Sequence, residues 1–156
     1  MSIEENKSVV RRYYEDAPYH PEVSDQIFAS QVLWHTLCPP NQPDFLSSPQ
    51  LEKDAYRRHM RTWGGWGEHV DELVAEGDRV MVRWTFHGIQ QEEYLGIQAT
   101  NRPVTFSGMN VFRLVDNRIV EVWSLWDKLG EWQQLGILPD STAILAHVKD
   151  SQEQDK

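Results

Sequence analysis

Cysteine is almost absent from this chain, since Cys38 is the single one among 156 residues. One cysteine permits no disulfide within the chain, which is typical of a protein of a reducing compartment. A lone cysteine can also serve as a nucleophile, but beside Pro39 and Pro40 we interpret it as inert.

Long apolar runs and an excess of basic residues are also missing. No segment approaches the roughly 18 unbroken apolar residues of a membrane-spanning helix. The first residues, MSIEENKSVV, carry acids where a signal peptide needs bases. The net charge is −9 and no basic stripe is visible, which argues against nucleic acid and anionic membranes as partners. We therefore expect a cytoplasmic protein.

Tryptophan is the residue that the chain has in excess, with seven copies. Large aromatic side chains supply much buried area and also line pockets for apolar or ring-shaped ligands. We therefore expect a small hydrophobic or aromatic substrate.

No signal for a cofactor or a metal accompanies these aromatics. The glycine cluster at 64–67 lacks the Lys-Ser/Thr companion of a phosphate loop, so it is predicted to be a turn. His59, His69 and His87 do not have metal-site spacing. Neither a tightly bound cofactor nor a metal is expected.

The N-terminal part of the chain is predicted to be mainly helical. Ser2 and Glu5 form a capping box that predicts a helix over about 2–16. A short helix over about 22–29 and a strand over 31–36 follow, and then a loop over 37–47. The pair Ser48-Pro49 predicts the start of a third helix, which ends at the glycine cluster.

The rest of the chain is predicted to be mainly strands. Residues 69–75 and 79–88 alternate in polarity around a turn at 76–78. A hairpin over 105–127 turns at Asp116-Asn117, and a short helix over 128–135 follows. This order favours an α+β fold, in which a curved antiparallel sheet wraps on the N-terminal helices as a cone with an internal pocket. One domain over 1–148 and a disordered polar tail over 149–156 are expected.

The second sheet face is predicted to mediate assembly. The alternation favours one common face for Trp84, Phe86, Trp123 and Leu125. If the helices do not cover that face, a homodimer through this outer sheet face would cover it.

Two polar residues interrupt the apolar hairpin, Asn110 and Ser124. A polar side chain left unpaired in such surroundings costs about 1–3 kcal/mol, so each needs a structural partner or a ligand. Arg83, between two apolar residues, needs an acid or an anionic ligand, and Asp127 is a candidate partner. His35 could be a base near neutral pH or a structural histidine.

Five segments resemble, in order and spacing, the SnoaL-like polyketide cyclase family of the nuclear transport factor 2-like (cystatin-like cone) superfamily. They are VVRRYYED, VLWH, DELVAEGDRVMVRW, EEYLGIQATNRPVTFSGMNVFR and NRIVEVWSLWDKLGEWQQLG, within about residues 3–138. The resemblance is specific to the family and much less to an activity. The same cone hosts cyclases, ketosteroid isomerases, dehydratases, epoxide hydrolases and non-enzymes.

The resemblance also assigns roles, with departures. Many family members carry an acid on the last strand, as general acid/base, and a histidine two residues earlier. This chain has Ser124 and Val122 there, and serine does not titrate near neutral pH. Tyr13 resembles the oxyanion tyrosine of the ketosteroid isomerases, Asn110 stands where they place an oxyanion acid, and His35 where they place their base.

A second comparison within the superfamily concerns the limonene-type epoxide hydrolases. Arg83 and Thr85 align with their Arg and Asp, and Ser124 again replaces their other acid. That mechanism would therefore lose both carboxylates.

Together these features predict an enzyme that abstracts a proton next to a carbonyl, as in an aldol cyclisation or an isomerisation (a lyase or an isomerase). His35 would be the base, Asn110 and Tyr13 would hold the enolate oxygen, and Ser124 and Arg83 would orient the substrate. The expected substrate-binding residues are Arg83, Trp34, Trp63, Trp66, Phe106, Phe112, Val122 and Trp126.

Three alternatives stay open. The first is a non-catalytic protein that binds a small ligand in the same fold. The second is a hydrolase or dehydratase that uses a pocket water and needs a carboxylate in the cavity. The third is a structural dimerisation module.

Overall fold

The computed structural model describes residues 2–37 and 43–146. Cys38 and the predicted tail over 149–156 lie outside these residues. The helices are α1 (Ile3–Glu15), α2 (Ser24–Ile27, after a 3-10 turn at Pro21–Val23), α3 (Pro49–Thr62) and α4 (Lys128–Leu135). The strands are β1 (Phe28–Thr36), β2 (Phe45–Ser47), β3 (Trp63–Glu76), β4 (Arg79–Gln90), β5 (Pro103–Val115) and β6 (Arg118–Trp126).

The six strands form one curved sheet that does not close, in the order β2-β1-β6-β5-β4-β3. Neighbouring strands are antiparallel except for β1 and β6, which are parallel. Helix α1 packs against β3 on the inner face. The predicted α+β cone is confirmed, with one parallel pair in the sheet.

The helix signals in the sequence behave as predicted. The Ser2 hydroxyl accepts a hydrogen bond from the Glu5 amide, and the Glu5 carboxylate accepts one from the Ser2 amide. The Ser48 hydroxyl caps α3 by accepting from the Leu51 amide. Within the described part of the chain, no helix is long and apolar enough to cross a membrane.

The glycine cluster at 64–67 is not the predicted turn. It is the first part of β3, and the β3–β4 register shifts between Gly64 and Gly67. This bulge leaves Trp66 buried. A second correction concerns the predicted loop over 37–47, because its end forms the short edge strand β2, which pairs with β1.

The register also corrects the predicted outer face. Trp84 pairs with Gly108, which pairs with Trp126, and this row lies on the inner face. Leu125 pairs with Met109, and Met109 pairs with Arg83, in the next row, on the outer face. Trp84 and Phe86 therefore lie inside, while Trp123 and Leu125 lie outside.

Candidate functional site

A cavity of about 530 Å³ lies between the inner face of the sheet and the helices α1 and α3. Its volume suits a drug-sized molecule. Nearly half of the described lining residues are aromatic, namely Trp34, Phe45, Trp63, Trp66, Trp84, Phe86, Phe106 and Trp126, together with Tyr13, Tyr56 and Tyr94.

The structure brings together many of the side chains that the sequence singles out. The cavity is lined by Tyr13, Asn110, Ser124, Trp34, Trp63, Trp66, Phe106 and Trp126. Phe112 and Val122 are different, because both are fully buried in the core and do not line the cavity. Their expected contact with substrate is corrected to a packing role.

Arg83 lies on the outer face of β4 and not in the cavity. Its Nη1 donates to an Asp71 carboxylate oxygen at 3.0 Å, and Glu72 lies 3.7 Å from its Nε. Asp127 is not its partner, since that carboxylate accepts from the Gly130 amide and caps α4. The acid that Arg83 needs is thus on β3, and the residue does not reach a cavity ligand.

His35 also lies outside the cavity. Its Nε2 is 2.8 Å from a Glu121 carboxylate oxygen and its Nδ1 is 2.9 Å from one of Asp44, while its ring stacks on Trp123. Carboxylate oxygens only accept, so both ring nitrogens carry protons, and the hydrogen bond to Glu121 raises the pKa of His35. A doubly bonded imidazolium has no free lone pair, so this placement does not support His35 as the cavity's base.

Asn110 and Ser124 pair with each other across β5 and β6. The Ser124 hydroxyl donates to Asn110 Oδ1 at 2.8 Å, and Asn110 Nδ2 donates to the Tyr14 hydroxyl at 2.9 Å. Both residues are buried and both line the cavity. Each thus has a structural partner, and this series of hydrogen bonds orients the Tyr14 hydroxyl.

Glu68 is the residue that sequence reasoning missed. It pairs with Phe86 on the inner face of the sheet and lines the cavity. Among the described residues, no side chain or amide forms a hydrogen bond or an ion pair with its carboxyl group. Desolvation by burial raises the pKa of Glu68 to about 7. A carboxyl group with this pKa can accept and donate a proton near neutral pH.

Only a partial signal for Glu68 was present in the sequence. Trp66, Glu68 and Val70 follow a two-residue period, but the register shifts between Val70 and Glu72, so counting back from Leu73 would place Glu68 on the outer face. The glycine cluster favoured a turn there, because glycine usually marks one. A glycine bulge inside a strand gives the same composition.

Three tyrosines lie near enough to this carboxyl group for its charge to affect their pKa values. Burial raises the pKa of Tyr13, Tyr14 and Tyr56, and the negative charge of Glu68 raises each of them further. They therefore remain protonated and can donate hydrogen bonds. The Tyr56 hydroxyl donates to the Tyr13 backbone carbonyl at 3.3 Å, which ties α3 to α1 at the cavity.

Two other glutamates line the cavity, but both have partners. Glu52 accepts a hydrogen bond from the Ser47 hydroxyl at 2.5 Å, and burial raises its pKa. Glu131 forms a buried ion pair with Lys128 at 3.1 Å and accepts a hydrogen bond from the Trp126 indole at 3.0 Å. Glu68 differs from both because no donor within the described residues reaches its carboxyl group.

His59, on α3, is a nitrogen base at the cavity wall. Its Nδ1 lies 3.1 Å from the Ala55 carbonyl oxygen. Since a carbonyl only accepts, Nδ1 carries the proton and the neutral ring has its lone pair on Nε2. Burial lowers the pKa of His59, which favours this neutral form.

Over 2–37 and 43–146, no group of three metal-binding side chains could hold a metal ion.

In the part of the chain that the structure describes, the fold and the site define a cone of helices and curved sheet around an aromatic cavity that contains the unpaired carboxyl group of Glu68. The chain belongs to the SnoaL-like polyketide cyclase family, whose model matches residues 9–135. No curated protein matches its sequence.

Solved structures with the same fold cover nearly the whole chain. AclR from Streptomyces galilaeus has a TM-score of 0.76 at 22% identity, over 99% of this chain and 96% of its own. TsrD from Streptomyces laurentii has 0.71 at 25%, over 88% and 99%. A SnoaL-like polyketide cyclase from Agrobacterium tumefaciens has 0.66 at 17%, over 86% and 99%. These structural similarities show the same fold and are consistent with membership of the family.

Proposed function

We propose that this protein is a SnoaL-like enzyme that abstracts a proton next to the carbonyl group of a small hydrophobic substrate. An aldol cyclisation or an isomerisation would begin this way. The observation that carries the proposal is the unpaired carboxyl group of Glu68 in an aromatic cavity. Glu68 replaces His35 as the base, since both nitrogens of His35 are bonded to carboxylates.

The first step moves one proton. The Glu68 carboxylate removes it from the carbon beside the carbonyl group, the C–H electron pair forms the carbon–carbon double bond of an enolate, and negative charge collects on oxygen. The Tyr13 hydroxyl donates a hydrogen bond to that oxygen, and one such donor stabilises a transition state by about 3 kcal/mol. Asn110 and Ser124 hold the neighbouring Tyr14 hydroxyl in place.

The second step returns the proton. In an isomerisation, protonated Glu68 gives it to a different carbon of the enolate. In an aldol cyclisation, the enolate carbon attacks a second carbonyl carbon of the same molecule, and the new alkoxide takes the proton. A carboxyl group with a pKa of about 7 can serve in both directions.

The test is hydrogen exchange on a model ketone. We expect the protein to speed deuterium uptake from D₂O at the carbons beside the carbonyl of 2-tetralone, followed by proton NMR. Glu68→Gln should lower the rate at least about 100-fold, the usual size of a base's contribution, while His35→Gln keeps most of it. A Glu68→Gln variant that exchanges at the wild-type rate, or a wild-type protein that does not exchange bound ketone, would contradict the proposal.

A second candidate is a dehydratase or hydrolase that uses a pocket water. It needs a carboxyl group in the cavity, and Glu68 meets that need. Protonated Glu68 would give its proton to a leaving hydroxyl group. Loss of water from a 3-hydroxy ketone, with no exchange of 2-tetralone, would favour it. An aromatic ligand that binds tightly and is recovered unchanged would favour the non-catalytic alternative. A cytoplasmic location remains part of the proposal.

A further inference from the structure

The cavity has two polar ends, and helix α3 runs from one to the other. Residues three or four apart on one face of α3 line the cavity, and this stripe includes Tyr56 and His59. Burial raises the pKa of Tyr56 and the charge of Glu68 raises it further, which places Tyr56 at the Glu68 end. His59 follows about 4.5 Å further along the helix axis. Burial lowers its pKa, and the charges of Glu131 and Lys128 also act on it, which places His59 at the end next to α4.

The ring of His59 is surrounded by protein but accessible from the cavity. Burial among protein atoms lowers its pKa, while its side chain is exposed and lines the cavity. These two properties are typical of a ring on the inner wall of a concave space. Nδ1 is held by the Ala55 carbonyl oxygen at 3.1 Å, which leaves Nε2 as the acceptor of the neutral ring. Among the histidines that the structure describes, His59 is the only one that lines the cavity.

The polar groups next to His59 are bonded to each other. The Lys128 ammonium donates to the Tyr94 hydroxyl and to a Glu131 carboxylate oxygen, both at 3.1 Å. Glu131 also accepts from the Trp126 indole at 3.0 Å. Over 2–37 and 43–146, no side chain or amide forms a hydrogen bond with Nε2 of His59. The α4 end of the cavity therefore offers an acceptor to a ligand, whereas the tyrosine hydroxyls near Glu68 offer donors.

We propose that His59 is a specificity-determining residue whose Nε2 accepts a hydrogen bond from a hydroxyl group of the substrate. The substrate is then a ketone with its carbonyl group at the Glu68 end and a hydroxyl group on the far side of its ring system. A carbonyl or ether oxygen only accepts, so neither can replace the hydroxyl group at Nε2. The two ends thus fix one orientation of the substrate.

This inference rests on the proposed function for the position of the carbonyl group, but the contact with His59 does not depend on proton transfer. The experiment compares 6-hydroxy-2-tetralone with 6-methoxy-2-tetralone, which keeps the oxygen and removes the donor. Dissociation constants are measured at pH 7.5 by isothermal titration calorimetry. We expect the wild type to bind the hydroxy compound at least about fivefold more tightly, the effect of a single hydrogen bond between neutral groups.

Two variants of His59 separate the hydrogen bond from packing. His59→Phe keeps a ring and removes the acceptor, so the preference for the hydroxy compound should fall below about twofold. His59→Gln should retain part of the preference, because its amide oxygen can accept the same hydrogen bond. The matched control is His69→Phe, which removes an exposed histidine that does not line the cavity. It should leave the preference unchanged.

Equal affinity of the wild type for both compounds, binding of neither, or a preference that survives in His59→Phe would overturn the inference. A preference that depends on His59, together with no exchange of 2-tetralone, would support this contact and reject the proposed proton abstraction. Exchange of 2-tetralone without a preference for the hydroxy compound would reject the role of His59 and leave the proposed function in place.

Discussion

Glu68 is distinguished from the other cavity acids by what surrounds its carboxyl group. Glu52 has a serine hydroxyl and Glu131 has an ammonium group and an indole. Burial without such a partner destabilises the ionised form, which places the pKa of Glu68 at about 7. The raised pKa suits Glu68 for proton transfer, but the ionised form of this carboxyl group destabilises the folded protein.

The pH dependence of the free energy of unfolding measures this destabilisation. The pKa of Glu68 is raised from 4.5 to about 7 in the folded state, so the folded state holds more protons between these values and stability falls as pH rises through them. Glu68→Gln removes the effect. We expect it to raise the free energy of unfolding by about 3 kcal/mol at pH 8, with little change at pH 4.5.

Urea denaturation at the two pH values gives the comparison. Other groups that titrate in this range, including His35, are the same in both proteins, so their effects cancel in the difference. Glu72→Gln should show no such pH dependence. An equal effect of Glu68→Gln at pH 4.5 and pH 8 would mean that the carboxyl group titrates normally.

His35 should behave in the opposite way as a structural cation. Its pKa is raised by Glu121 first and also by Asp44, so its contribution is complete below its unfolded pKa of about 6.5 and is lost as pH rises through the folded value. His35→Gln should lower the free energy of unfolding at pH 5.5 by about 1.5 kcal/mol, the lower end of the range for hydrogen bonds to charged groups, because the Asp44 carboxylate is exposed. NMR titration of the imidazole carbons checks the pKa, and a normal or lowered value would contradict the two ion pairs.

At the scale of elements, local signals predicted α1, the turn after β3 and the β5–β6 hairpin. The capping box at Ser2 and the Asp116-Asn117 turn, where both residues have positive φ, act over a few residues and need no tertiary information. The prediction failed where a bulge changes the register of a strand pair. The register of β5 and β6 shifts between Arg113 and Leu114. If the two strands are paired outward from the turn without this bulge, Leu125 pairs with Gly108, which pairs with Trp84. This pairing would place Leu125 on the same sheet face as Trp84, as the sequence predicted.

Only part of the candidate site could be predicted from the sequence, because local motifs do not contain the contacts between distant segments. The resemblance to a family marked Tyr13, Asn110 and Ser124, because these lie at positions of its motifs. Glu68 follows a bulge, and His35 was assigned by position without its two carboxylate partners. Contacts between β1, β6 and the segment before β2 decide the role of His35, and no local pattern contains them.

Gly108 should be needed for the packing of Trp84. A Cβ at this position would contact the Trp84 indole and would lie 2.7 Å from the Leu125 carbonyl oxygen. Gly108→Ala should therefore lower the free energy of unfolding by about 1–3 kcal/mol, as overpacking does. Urea denaturation measures it, with Ser107→Ala, at an exposed neighbour, as the control. A loss below about 0.5 kcal/mol would show that Trp84 can move aside.

The ion pair of α4 offers a second test at this scale. Lys128 and Glu131 are both buried, so Lys128→Met leaves the Glu131 carboxylate charged and without its ammonium partner. We expect a loss of about 3–5 kcal/mol in the free energy of unfolding. Adding Glu131→Gln should recover most of it, because the uncompensated charge disappears. Additive losses in the double variant would contradict coupling between the two residues.

At the scale of the whole molecule, the outer face of the sheet exposes apolar side chains to solvent. Met81, Met109 and Leu125 are exposed there, with Leu125 at 46%. Trp123 is partly covered within the chain, by the His35 ring on one side and by the Arg79 guanidinium at 4.9 Å. The apolar surface left for another molecule is therefore centred on the methionines and Leu125.

We expect a second copy of the chain to cover this surface, since a symmetric dimer can bury the same apolar patch on both partners. Sedimentation velocity of the wild type at micromolar concentration should show a dimer, and Leu125→Glu should shift it to monomer. Leu95→Glu, at an exposed position away from the sheet face, is the matched control. Leu125→Glu should still bind 2-tetralone, because Leu125 points away from the cavity. A wild type that sediments as a monomer, or a Leu125→Glu variant that stays dimeric, would place the interface elsewhere.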